Sequence, residues 1–169
     1  LPQIWPAILT LGWILFSIAA GEAAMALVAL AARDGLEIVF ASNAAITMLF
    51  AGACVLPTKG RAFELRFRDA ALLTVVAWVV VPIFGGLPLM AEPSNLGFAD
   101  AYFEAMSAMT TTGATVITGL DDLPHGILLW RGLLQWIGGV GIVLMALLLL
   151  PVLNVGGMQL LRASDFNTL

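Results

Sequence analysis

Phe103-Glu104-Ala105-Met106-Ser107-Ala108-Met109-Thr110-Thr111-Thr112-Gly113-Ala114-Thr115 is the stretch on which the reading of the fold turns. Its first part closes a segment, residues 94–109, that reads as a short helix capped by Ser94 or Asn95. Phe98, Tyr102, Phe103, Met106 and Met109 give that helix an apolar side, and Asp100 and Glu104 give it charge. Crossing a bilayer takes about 20 mostly apolar residues, so this helix is too short to span. A Thr-rich run ending in Gly113-Ala114-Thr115 follows directly, then a polar loop with Asp121, Asp122, Pro124 and His125.

The surroundings are apolar. Of 169 residues, 61% are hydrophobic and 11% charged, with a mean hydropathy of +1.02. Soluble domains sit near ~45–50% apolar and ~25% charged, so the solvent for most of this surface is lipid. The same numbers exclude a disordered chain and a basic nucleic-acid binder. Cys54 is the single cysteine, which excludes an internal disulfide and a cysteine metal cluster. Leu1 in place of Met points to a piece of a longer protein, and the first apolar stretch, too long for a signal-peptide core and lacking a basic leader, reads as a true span.

Spans are expected at residues 4–32, 38–56, 70–90 and about 127–153. Arg33-Asp34-Gly35 ends the first, Pro57 and Gly60 close the second, and Pro82, Gly85, Gly86 and Pro88 loosen the end of the third. Pro151 and Asn154 mark the end of the fourth, with an amphipathic tail beyond. The predicted fold is an all-α membrane protein. Residues 1–57 form a transmembrane helix pair, 58–69 a basic loop, and 70–153 a helix–re-entrant loop–helix unit with its short helix at about 95–109. Residues 154–169 begin a link to whatever follows.

Positive charge orients the layout. Lys59, Arg61, Arg66 and Arg68 place the loop between spans two and three in the cytoplasm. The N-terminus and the tail with Arg162 are then also inside. The outer segments hold Asp34, Glu37, Glu92, Asp100, Glu104, Asp121 and Asp122 against Arg33 and Arg131. An acidic outer mouth at Asp100, Glu104, Asp121 and Asp122 would concentrate cations.

A helix between two spans that begins and ends on one side is a re-entrant hairpin. Irregular backbone at membrane depth persists only when buried in protein or lining a watery cavity. An extended Thr-Thr-Gly backbone there presents carbonyl oxygens that can replace the hydration shell of a monovalent cation. Glycine allows backbone angles a side chain forbids, and the short helix aims its negative end at the ion path. The residues alone leave a second reading open, in which the segment is an outer loop lying in the interface.

The stretch 103–115 resembles the first pore loop of the Trk-type potassium-uptake proteins, of the Trk/Ktr/HKT cation transporter superfamily. Leu129-Trp130-Arg131-Gly132-Leu133-Leu134-Gln135-Trp136-Ile137-Gly138-Gly139-Val140-Gly141-Ile142 is similar to the start of that family's next helix. Val155-Gly156-Gly157-Met158-Gln159-Leu160 is similar to the segment after it. Residues 1–57 fit the extra helix pair of the Trk branch. The resemblance implies a K⁺-channel-like repeat, one of four arranged around a pore, in a multi-pass protein of the bacterial inner membrane. It implies K⁺ uptake, no cofactor, and K⁺ as the transported ion. K⁺ would be held at carbonyls of Thr111 and Thr112, with Thr110 and Gly113 adjoining, in a filter over 110–115. Further implied partners are the lipid bilayer, three more pore repeats, a second copy of the protein, and a cytoplasmic nucleotide-binding ring. This chain holds a single such repeat, so it is expected to supply one quarter of a filter. Rival readings are a short homo-oligomeric cation channel and a non-transporting membrane packing module.

Other residues read more plainly. Glu22, deep in the first span among Ala20, Gly21, Ala23 and Ala24, reads as a protonated or paired structural group. His125 reads as an interfacial histidine and not a metal ligand. Arg131, inside a span, calls for an acidic partner among Asp121, Asp122 and Glu104, and reads as a brace for the loop. Gly138, Gly139 and Gly141 read as close-packing positions. Enzymatic readings lack parts: no nucleophile with a base and no phosphate-cradling loop is present.

Overall fold

The computed structural model describes residues 4–58 and 67–165. Every regular element among them is helical: α1 (Ile4–Ala32), α2 (Glu37–Val55), α3 (Phe67–Gly86), α4 (Phe98–Met109) and α5 (His125–Asp165). Short 3-10 turns lie at Leu56–Thr58, Leu87–Met90 and Leu120–Asp122. Four helical stretches are long and apolar enough to cross a membrane: Trp5–Ala32, Glu37–Thr58, Ala71–Met90 and His125–Ala146. These are the four spans the sequence predicts. With 12 residues, α4 extends only about 18 Å at 1.5 Å per residue. Lys59, Arg61 and Arg66, on which the inside–outside assignment rests, lie outside the described residues.

α1 stops where Arg33 and Gly35 take left-handed backbone, at φ 57° and 79°. The chain then turns back as α2. Gly12 lets the pair close, since a Cβ there would sit 2.7 Å from Val55 Cγ2 and 2.9 Å from Cys54 Cβ. α1 also packs on α3 and α5, and α4 is held between α3 and α5. The centre of the bundle is formed by Leu15, Ile18, Phe40, Leu89, Ile127, Trp130 and Leu134, all essentially unexposed. Phe40 meets Trp130 edge-on at 6.0 Å, and the Trp130 indole donates to the Gly85 carbonyl at 2.8 Å, tying α5 to α3. By contrast Ile38, Leu49 and Trp136 on the outside are 75%, 70% and 69% exposed. An apolar outer surface of this kind suits lipid and not water.

The third span reaches Met90 as expected; α3 ends at Gly86 and a 3-10 turn carrying Pro88 completes it, in the stretch the sequence marks as loosened. Two boundaries differ from the sequence reading. α4 begins at Phe98, not near residue 95, and its N-cap is Gly97 with no side-chain hydrogen bond. Asn95 takes φ 43° and its amide closes a turn onto the Ala91 carbonyl at 2.9 Å, so neither it nor Ser94 caps the helix. Asparagine tolerates that left-handed geometry better than most residues. Finally, α5 does not end near Pro151 but runs to Asp165. An interior proline costs a helix one hydrogen bond and crowds the carbonyl four residues back, and α5 continues past Pro151 despite that cost.

Candidate functional site

The loop after α4 is folded back by its own amides. The amides of Thr110, Thr111, Thr112 and Gly113 donate to the carbonyls of Met106 (2.8 Å), Ala108 (2.9 Å), Ser107 (3.0 Å) and Ser107 again (3.4 Å). The carbonyl oxygens of these same four residues accept no hydrogen bond among the described residues. Thr111 at φ 56° and Gly113 at φ 75° make the reversal. The expected extended Thr-Thr-Gly backbone is therefore corrected: two of its positions form a left-handed turn, because the amides satisfy the open end of α4. Glycine adopts that geometry freely; at Thr111 a β-branched side chain holds it under strain.

The chain then returns alongside α4. Ser107 Oγ donates to the Ala114 carbonyl at 2.6 Å. Glu104 Oε1 accepts from Thr115 Oγ1 at 2.6 Å, from the Val116 amide at 2.6 Å and from the Ile117 amide at 3.4 Å. Glu104 Oε2 lies 2.6 Å from Arg131 Nη2 of α5. One carboxylate thus joins α4, the returning segment and α5. Its partners satisfy a charge that would otherwise be costly to bury.

Thr111, Thr112 and Gly113 are exposed at the tip and Thr110 is half-buried. Thr110 Oγ1 bonds the Met106 carbonyl and meets Thr112 Oγ1, both at 2.9 Å. Asp100, Asp121 and Asp122 are exposed. Glu104 is not with them. Its expected place at an open mouth is corrected, since its side chain is fully buried and taken up by Arg131 and backbone amides. His125 is exposed at the start of α5, and among the described residues no three His, Cys, Asp or Glu side chains are placed to hold a metal ion together.

Two contributors escape the sequence reading. Ser107 ties both arms of the hairpin, and nothing in its spacing marks it. Asp34, in the loop between α1 and α2, accepts the Gly126 amide at 3.2 Å and so caps the start of α5. Its neighbour Gly35 signals a turn, but the partner 92 residues away is invisible in sequence.

Residues 36–167 match the TrkH family, described as cation transport proteins. The Trk system potassium uptake protein TrkH of Vibrio parahaemolyticus is 50% identical over 142 residues, covering 83% of this chain and 29% of that protein. TrkH of Escherichia coli K12 is 44% identical over 138 residues, covering 81% and 29%. The crystal structure of the potassium transporter TrkH from Vibrio parahaemolyticus superposes with a TM-score of 0.83 at 42% identity, over 92% of this chain and 33% of that one. The chain therefore spans under a third of the length of these relatives. On residues 36–167 and this shared helical architecture, it belongs to the TrkH family of cation transport proteins and is a multi-pass membrane protein.

Proposed function

We propose that this chain supplies one filter segment of a longer bacterial transporter that takes up K⁺ across the inner membrane, with the N-terminus in the cytoplasm. The observation that carries this reading is the division of labour at Thr110–Gly113. All four amides are spent on α4, and all four carbonyl oxygens are left without a donor among the described residues. Oxygens so placed suit a cation that must shed water, and repel anions. They lie at the C-terminal end of α4, whose partial negative charge acts in the same sense without a fixed carboxylate in the path.

Thr111 and Thr112 carbonyls are assigned as the K⁺ ligands, with Thr110 and Gly113 completing the turn. Asp100, Asp121 and Asp122 form the acidic approach. Glu104 and Arg131 hold the returning segment against α4 and α5, so the loop keeps its shape when an ion arrives. Three further repeats, a second copy and a nucleotide-binding ring are the partners the family resemblance implies. The relatives carry potassium uptake in their names, which favours K⁺ as the cargo.

The test is ion flux in the full-length protein. Replacing Gly113 with Val is expected to abolish discrimination between K⁺ and Na⁺. An unchanged ratio, in protein present at normal amounts, would refute the filter assignment.

A further inference from the structure

Two glycines that belong to different helices lie directly against the backbone of α4. At the end of α3, a Cβ on Gly86 would lie 2.8 Å from the Ala101 carbonyl oxygen and 3.1 Å from its carbon. In α5, a Cβ on Gly138 would overlap the carbonyl group and Cα of Met109. In both places the obstructing atoms are backbone, so no change of rotamer can clear them. Ala101 lies near the start of α4 and Met109 is its last residue. The two contacts are thus eight residues, or about 12 Å, apart along the helix.

We propose that Gly86 and Gly138 are positioning residues that clamp the backbone of α4 at both ends, fixing its depth and tilt and so the placement of the Thr110–Gly113 oxygens. Two points fix a rod in a way that one does not. The Glu104–Arg131 pair adds a third hold, at the middle of α4, and sets its rotation. Met109 adjoins Thr110 directly, so displacement at Gly138 reaches the loop without passing through any flexible side chain. Dense packing transmits such a shift instead of absorbing it. Other glycines have no such duty: Gly52 in α2 and Gly132 in α5 have no atom within 4 Å of a would-be Cβ.

The inference rests on the proposed filter, and its test separates the two. In the full-length transporter, the K⁺/Na⁺ flux ratio is measured alongside the amount of protein in the membrane. Gly138→Ala is expected to lower the ratio about tenfold, the equivalent of about 1.4 kcal/mol in relative ion binding. Gly86→Ala, with its less severe overlap, is expected to lower it about threefold. Gly52→Ala and Gly132→Ala are expected to keep the parent ratio. A purely structural glycine changes how much protein accumulates and leaves the ratio alone, so the ratio is the deciding readout. Should Gly138→Ala fail to accumulate, Gly86→Ala decides. Parent ratios in the glycine variants, with Gly113→Val still losing discrimination, would overturn the clamp. Parent ratios in all three, Gly113→Val included, would overturn the filter reading and the clamp with it.

Discussion

Among the described residues, Glu22 and Glu104 both have side chains with no exposed surface, and they are buried in opposite ways. Glu104 meets an arginine, a hydroxyl and two backbone amides drawn from two other parts of the chain. Glu22, in α1, has Thr47 of α2 as its polar neighbour, yet neither carboxylate oxygen nor the Thr47 hydroxyl completes a hydrogen bond. Burial is equal at the two sites; connection is not. A removed partner at Glu104 leaves several groups stranded, while a removed Glu22 affects at most the Thr47 hydroxyl. Burial of a charge in a membrane protein therefore says little until the partners are counted.

The contrast can be broken or sharpened by substitution. The largest effect is expected for Glu104→Gln, which leaves Arg131 without its counter-charge. Breaking a buried pair from one side costs ~3–5 kcal/mol, to be read as a steep fall in Tm of the purified full-length protein with loss of K⁺ uptake. The double change Glu104→Leu with Arg131→Leu removes the unpaired charge but still strands the Thr115 hydroxyl and the Val116 and Ile117 amides, so it is expected to recover only part of the Tm and none of the uptake; full recovery of both would erase any role for the pair in shaping the loop. Next comes Gly113→Ala. The space around Gly113 is open, so the effect is backbone strain alone, about 1–2 kcal/mol, and Thr111→Gly is expected to move Tm the other way. Ser107→Ala removes the bond to the Ala114 carbonyl, with an expected loss of about 0.5–1.5 kcal/mol by the same measurement. The smallest effect is assigned to Glu22→Leu, within about 1 kcal/mol of the parent in either direction. A loss there equal to that of Glu104→Gln would end the contrast between the two carboxylates.

The spans were legible because lipid imposes a simple rule, length times apolarity, that residues 4–32 obey without help from the rest of the fold. The short helix was legible for the converse reason: Ser94 to Met109 breaks the rule. Its start differs because Ser94 and Asn95 have the composition of caps, whereas the Asn95 amide closes a turn onto Ala91 and neither side chain bonds the first turn of α4. At the loop, the Thr-Thr-Gly composition points to exposed oxygens, but the left-handed turn at Thr111 arises from bonds to Ser107 that no periodicity encodes. Charge alone suggests a solvated mouth for Glu104, while Arg131 inside a span calls for an acidic partner among Asp121, Asp122 and Glu104; the choice of Glu104 is made by the packing of α4 on α5. Gly138 stands in a glycine-rich run that announces close packing without saying against what.

The bond from Asp34 to Gly126 has a consequence for how the molecule is made. A ribosome delivers Asp34 first, so the acceptor already waits in its loop when the last helix emerges. The opening turn of that helix gains its cap only once the first hairpin is in place beside it. Damage to the leading hairpin would therefore surface as faulty assembly of the segment synthesised after it, far along the chain from the lesion itself.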